Sequence, residues 1–184
     1  MIRLQVAFLT GQSDPGRCAL SPLQSAFLDA LPVPEAARVR LNFPYVAGPA
    51  HREVALLRAS WNNVRQYLAS RRPEFGARHR PAVLALLERA ERTLLLAGSC
   101  GLELLANLDL PAATLGRVDV VAYGPVGRHQ PACSSLLVQG RRDWVSRVWY
   151  RGPVDARIDC DHLGYLETRE LRELCHAVVD RLLG

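Results

Sequence analysis

Apolar and polar positions alternate between two periods along this chain. Leu4 to Leu9 is a strand-like apolar run. The loop Thr10-Gly11-Gln12-Ser13-Asp14-Pro15-Gly16 follows. Ser21 then suits an N-cap, with Pro22 at the first helical position. Leu23, Phe27 and Leu31 recur every four residues and give that helix one apolar face. Val39 to Phe43 reads as a second strand, and Pro44, Gly48 and Pro49 mark a loop. A helix is predicted from about Arg52 to Ser70. Val54, Leu57, Trp61, Val64 and Leu68 alternate spacings of three and four, the period of a buried stripe, which places Trp61 in the core. Pro73 and Gly76 make Arg71 to Arg80 a loop, and Pro81 opens a further helix with Val83, Leu84 and Leu87 inward.

The second half keeps the rhythm. Thr93 to Ala97 is a short, fully apolar strand of the kind found at the centre of a parallel sheet. Gly98 to Gly101 is a sharp turn, and Leu102 to Asn107 starts a helix. Strands follow at Val118 to Ala122, Ser135 to Gln139 and Ala156 to Asp159, with a helix around Asp143 to Trp149. Leu171, Leu174, Val178 and Leu182 mark a closing amphipathic helix. Six strands with interposed helices predict an α/β domain. Its sheet is mostly parallel and six-stranded, with helices on both faces. No period of 20–50 residues repeats.

Composition narrows the chemistry. The 184 residues, 49% of them hydrophobic and 22% charged, fit one globular domain spanning 1–184. All 23 cationic residues are Arg. With no Lys there is no Schiff-base lysine and no P-loop lysine. The net charge of +5 is spread along the chain rather than gathered in blocks, so no nucleic-acid partner is expected. Arg71, Arg72, Arg78 and Arg80 form its densest stretch. The apolar runs are too short for a membrane span. Met1 to Val6 runs straight into strand-like sequence with no basic leader, so no signal peptide is expected. Five cysteines, an odd count without C-x-x-C spacing, point to free thiols in a reducing, cytoplasmic compartment. Cys175 and His176 are adjacent and face different sides of a helix, so with Cys160 and His162 they make no zinc site.

The most informative stretch is Ala97-Gly98-Ser99-Cys100-Gly101, between an apolar strand and a helix. A serine on such a strained turn stands clear of the sheet. The residues two before and two after it must be small, because strand and helix backbones pass close there. Leu136 to Asp143 is then a strand, a Gly turn and an Asp three residues on. Ile158 to Leu166 is a strand with His162 in the following loop. Ser99, Asp143 and His162 thus each fall just past the C-terminal end of a different strand. In a parallel sheet those ends share one edge.

The order Ser…Asp…His and the small-x-Ser-x-Gly turn resemble the α/β-hydrolase family, over most of the chain from Leu4 to Gly184. The resemblance implies a minimal, lidless serine esterase or thioesterase. Ser99 is then the nucleophile, His162 the general base and Asp143 the triad acid. It further implies an oxyanion hole made by the N–H groups of Cys100 and Gln12. Ala97 stands where the family usually has Gly, and Thr10-Gly11 where it usually has His-Gly. The family's first strands are absent, and Tyr123 to Ser134 is too short for a lid. No metal or organic cofactor is required. The substrate class implied is a small-molecule acyl ester or thioester, the latter carried by coenzyme A or a carrier protein. Arg71, Arg72, Arg78 and Arg80 are candidates for the carrier's phosphates. Phe43, Tyr45, Tyr123 and Val126 are candidates for an acyl pocket or for packing. Other readings of the same residues are an acyltransferase, a non-catalytic binding module, Asp143 as a helix cap and Cys100 as the nucleophile.

Overall fold

The computed structural model describes residues 2–184, apart from the side chains of residues 56 and 57. Six strands form one parallel sheet: β1 (Ile2–Phe8), β2 (Arg38–Asn42), β3 (Ala90–Gly98), β4 (Val118–Tyr123), β5 (Ser134–Gly140) and β6 (Ala156–Ile158). Their spatial order is β2-β1-β3-β4-β5-β6, and every pairing is parallel. The fold is therefore α/β, with the expected six strands. The chain lays β2 on one side of β1, then returns to lay β3 to β6 on the other. The loops leaving β1 and β3 diverge at that reversal, which opens a crevice at the C-terminal edge between them.

The pleat sorts the core into two layers. On β3, Leu95 and Ala97 point to one face and Leu94 and Leu96 to the other, and all four are fully buried. One face is covered by α1 (Pro22–Asp29) and α7 (Arg169–Leu183), through Phe27, Leu28, Leu171, Cys175 and Val179. The opposite face is covered by α2 (Leu56–Ser70), α3 (Pro73–Leu87) and α4 (Gly101–Asn107), through Tyr67, Val83, Leu87, Leu102 and Leu105. Short helices α5 (Ala112–Leu115) and α6 (Trp144–Trp149) complete the set. Ser21 caps α1 in a reciprocal capping box with Gln24, and Pro22 sits at its first position, as the sequence predicts. The segment from β4 to β5 carries no helix.

Two local expectations are corrected. Residues 73–80 are helical rather than a loop: Pro73 starts α3 and Pro81 lies inside it. Pro73 costs nothing there, because the first N–H of a helix has no intrahelical acceptor. Gly76 lets α3 approach α4, where a Cβ would sit 3.3 Å from the Asn107 carbonyl oxygen. The second correction concerns α2. Its apolar stripe is not buried: Trp61, Val64 and Leu68 are all exposed. The face turned inward carries Asn62, Asn63, Gln66, Tyr67 and Ser70 instead. Val54 precedes the helix, and the Leu57 side chain lies outside the described residues.

Candidate active site

The turn after β3 is built by sterics. Ser99 adopts φ +52°, in the left-handed region that costs a non-glycine residue strain. The turn is held from both sides: Ser99 N–H donates to the Tyr123 carbonyl at 3.0 Å, and Val126 N–H donates to the Ser99 carbonyl at 3.0 Å. Any side chain at Gly101 would overlap the Leu9 carbonyl oxygen at the end of the neighbouring strand. Ala97, on the other side, is fully buried. Gly101 is thus required by backbone approach, and Ala97 stands in a packed interior.

Three side chains from three strand ends meet. Ser99 Oγ lies 3.0 Å from His162 Nε2. His162 Nδ1 lies 2.9 Å and 3.0 Å from the two oxygens of Asp143. Asp143 is fully buried and has two further donors. Ser146 N–H reaches Oδ1 at 2.8 Å, and Tyr165 O–H donates to Oδ2 at 2.7 Å. The Ser146 bond makes Asp143 the N-cap of α6 as well, so capping and the histidine contact coexist. Burial works to raise the Asp143 pKa. The hydrogen bonds from His162, Ser146 and Tyr165, with the His162 charge, outweigh it and hold the carboxyl below its ordinary value. Burial and the Asp143 bond push the Tyr165 phenol up, so it stays a donor.

Tyr165 is the site residue that sequence reasoning missed. It is buried, and its hydroxyl also accepts from Gly140 N–H at 2.5 Å, which ties the turn before Asp143 to the loop after His162. The available signal was its position three residues after His162. A buried tyrosine hydroxyl there needs a partner, and Asp143 is the nearby acceptor.

The two expected oxyanion donors stand differently. Cys100 N–H stands at the N-terminus of α4 and meets no protein acceptor among the described residues. Gln12 N–H does not stand free: it donates to Gln66 Oε1 of α2 at 2.6 Å. Gln66 Nε2 in turn reaches Gln12 Oε1 at 3.3 Å. Asn62 adds a bond to the Ser13 carbonyl at 2.8 Å. On the other flank Asn42 accepts from Thr10 N–H at 3.0 Å. The inward polar face of α2 therefore grips the loop that was expected to supply the second donor. A polar hollow of about 240 Å³ opens beside this loop, lined by Thr10, Gln12, Gln24, Asn42 and Arg52 among others.

The Cys100 thiol is buried, and burial pushes its pKa to about 12. Burial disfavours its thiolate, and His162 Nε2 lies against Ser99 Oγ rather than this thiol, so the geometry favours Ser99 as the nucleophile. Phe43 is fully buried against Phe75 and His79, so it packs the core and lines no acyl pocket. Tyr123 and Val126 are also buried, and Tyr45 is half-buried. Of the arginine stretch, Arg71 bonds Glu103 and Tyr67, and Arg80 bonds the Leu108 carbonyl and Asp109. Glu103, on the first turn of α4, is itself buried. It accepts from Arg71, Asn107 and both the backbone and side chain of Arg128. That carboxylate pins the end of α2 and the loop after β4 to the helix that carries the serine turn.

No family model matches this chain, and no curated protein matches it. Among solved structures it is similar to a protein of unknown function from Agrobacterium tumefaciens, described as a candidate alpha/beta hydrolase. That likeness has 13% identity and a TM-score of 0.49, over 99% of this chain and 86% of the other.

Proposed function

We propose that the protein is a serine hydrolase that cleaves acyl esters or thioesters through an acyl-Ser99 intermediate. The observation that carries the reading is the continuous chain Ser99 Oγ, His162 Nε2, His162 Nδ1 and Asp143, at 3.0 and 2.9 Å. His162 takes the Ser99 proton as Oγ attacks the acyl carbonyl, and then gives it to the departing alcohol or thiol. Asp143 holds the imidazole in the tautomer that presents Nε2 as the acceptor, and stabilises the imidazolium. Cys100 N–H holds the tetrahedral oxyanion. Gln12 N–H joins it once Gln66 lets go, and each donor is worth roughly 3 kcal/mol in the transition state. Water on the same path, activated by His162, releases the acid. The five unpaired cysteines suit a reducing compartment, so we place the enzyme in the cytoplasm.

A fluorophosphonate probe tests the reading. It should label the wild type once, at Ser99, and fail to label Ser99→Ala. With a p-nitrophenyl ester, Ser99→Ala and His162→Ala should each lower turnover by roughly five to six powers of ten while circular dichroism stays unchanged. A folded wild type that neither labels nor turns over would leave a binding module. Faster ester consumption with an added alcohol acceptor would indicate acyl transfer.

A further inference from the structure

The chain has three tryptophans, and all three are largely exposed: Trp61 63%, Trp144 68% and Trp149 55%. They lie on α2 and α6. The two helices are joined where Trp149 meets Tyr67, with ring centroids 5.9 Å apart. Val64 and Leu68 continue the outer stripe of α2, and Val145 and Val148 that of α6; all four are exposed. Leu163, next to His162 in the loop after β6, is exposed as well. These eight side chains account for most of the large apolar groups that the described residues leave in water. An apolar surface gathered in this way marks a contact site rather than scatter.

Its charge says what it meets. Arg58 and Arg65 flank Trp61 at helical spacing on the outer face of α2, and Arg147 of α6 stacks over the Trp144 ring at 4.5 Å. Neither helix carries an Asp or Glu: Asp143, which caps α6, is fully buried, and the exposed carboxylates Glu53 and Asp161 lie in the flanking loops rather than on either helix. A second copy pairing through this face would set arginine against arginine. An anionic surface with an apolar layer beneath it satisfies both components: tryptophan and aliphatic groups enter, and guanidiniums stay at the level of the charges. Asp143 caps α6 and Leu163 follows His162, so the face borders the reactive serine. We propose that the outer faces of α2 and α6 dock this protein on an anionic lipid surface. The choice of lipid over an acidic protein rests on the acyl-ester reading of the site, since lipids present such esters at that depth. The existence of the docking face does not.

All the tryptophan fluorescence comes from this face, so the readout is direct. Vesicles of phosphatidylcholine and phosphatidylserine in equal amounts should shift the emission to the blue and carry the protein down on sedimentation. Pure phosphatidylcholine vesicles should do neither as strongly, and added salt should release the protein. Arg58→Gln and Arg65→Gln should each weaken the vesicle affinity roughly fivefold. Leu68→Ser should weaken it by a comparable factor while keeping all three tryptophans. Ser99→Ala should bind vesicles like the wild type, so failure of the hydrolase reading and failure of the docking are told apart. The proposal is overturned if the folded protein ignores anionic vesicles. It is equally overturned if the blue shift appears on raising protein concentration alone, which would mean self-association, or only with poly-glutamate, which would mean an acidic protein partner.

Discussion

The two sides of Ser99 are built from different materials. On the proton-relay side, Asp143 is fully buried, His162 is held by both its oxygens, and Tyr165 and Ser146 N–H use the carboxylate's remaining capacity. Asp143 and Ser146 sit at the start of α6, and His162 and Tyr165 lie in the segment that follows β6. On the oxyanion side, one donor stands at the head of α4, and the other is taken by Gln66, a side chain on a helix that packs with its polar face inward. In the proposed reaction the relay is arranged before substrate arrives. The oxyanion pocket proposed with it has to exchange one hydrogen bond for another. Preorganised donors contribute most when nothing has to move at the moment of reaction, so the difference places the adjustable part of the proposed catalysis on α2.

The larger test of that contrast is Tyr165→Phe. The ring still packs on Tyr123, but Asp143 loses a donor and Gly140 N–H loses its buried acceptor. Stability should fall by about 1–3 kcal/mol in urea unfolding, the cost of an unsatisfied buried group. Ester turnover should fall about tenfold in kcat with KM held, because the imidazole is less firmly oriented and substrate contacts are untouched. An unchanged kcat would show that Asp143 positions His162 without help from the phenol.

Acid provides a second test. Asp143 and Glu103 both titrate lower in the folded protein than their ordinary values of 3.8 and 4.5, despite burial, because each accepts several hydrogen bonds. The unfolded chain then binds more protons in that range, so folding stability is fully present above it and is lost as pH falls through it. The melting temperature should hold near neutrality and drop below about pH 4.5. Glu103→Gln should flatten part of that slope and lower the melting temperature at pH 7, since two arginines lose their shared carboxylate. A melting temperature independent of pH down to 3 would show that neither carboxylate gains from its partners.

The relay side was the legible one, for a physical reason. Strand ends of a parallel sheet share an edge, and small residues around Ser99 report a backbone contact, so local pattern and chain order suffice to bring Ser99, Asp143 and His162 to one place. Tyr165 was not read because its place three residues after His162 does not by itself distinguish a tyrosine that bonds a carboxylate from one that merely packs. The orientation of α2 was the part that pattern did not give. Periodicity finds which residues of a helix share a face, but it does not say which face turns inward. Trp61, Val64 and Leu68 do lie on one stripe, and that stripe faces water, because the loop beneath offers the N–H of Gln12 and the carbonyl of Ser13 and needs polar partners. The helix over 73–80 was hidden by reading Pro73 and Gly76 as breakers. At a first turn Pro starts a helix, and at a close crossing Gly permits one.

Gln66→Ala gives the smallest effect and the sharpest decision. If Gln66 only occupies Gln12 N–H in the resting protein, its removal leaves that donor ready for the oxyanion. Breaking a neutral hydrogen bond costs roughly 1 kcal/mol net, so turnover of a p-nitrophenyl ester should rise by about fivefold, with the gain in kcat. The loop keeps its other anchors, Asn42 on Thr10 and Asn62 on Ser13, so it has no reason to collapse. A tenfold loss instead would mean that Gln66 aims the Gln12 backbone rather than blocking it. The polar face of α2 would then belong to the preorganised part of the site, and the contrast between the two sides of Ser99 would disappear.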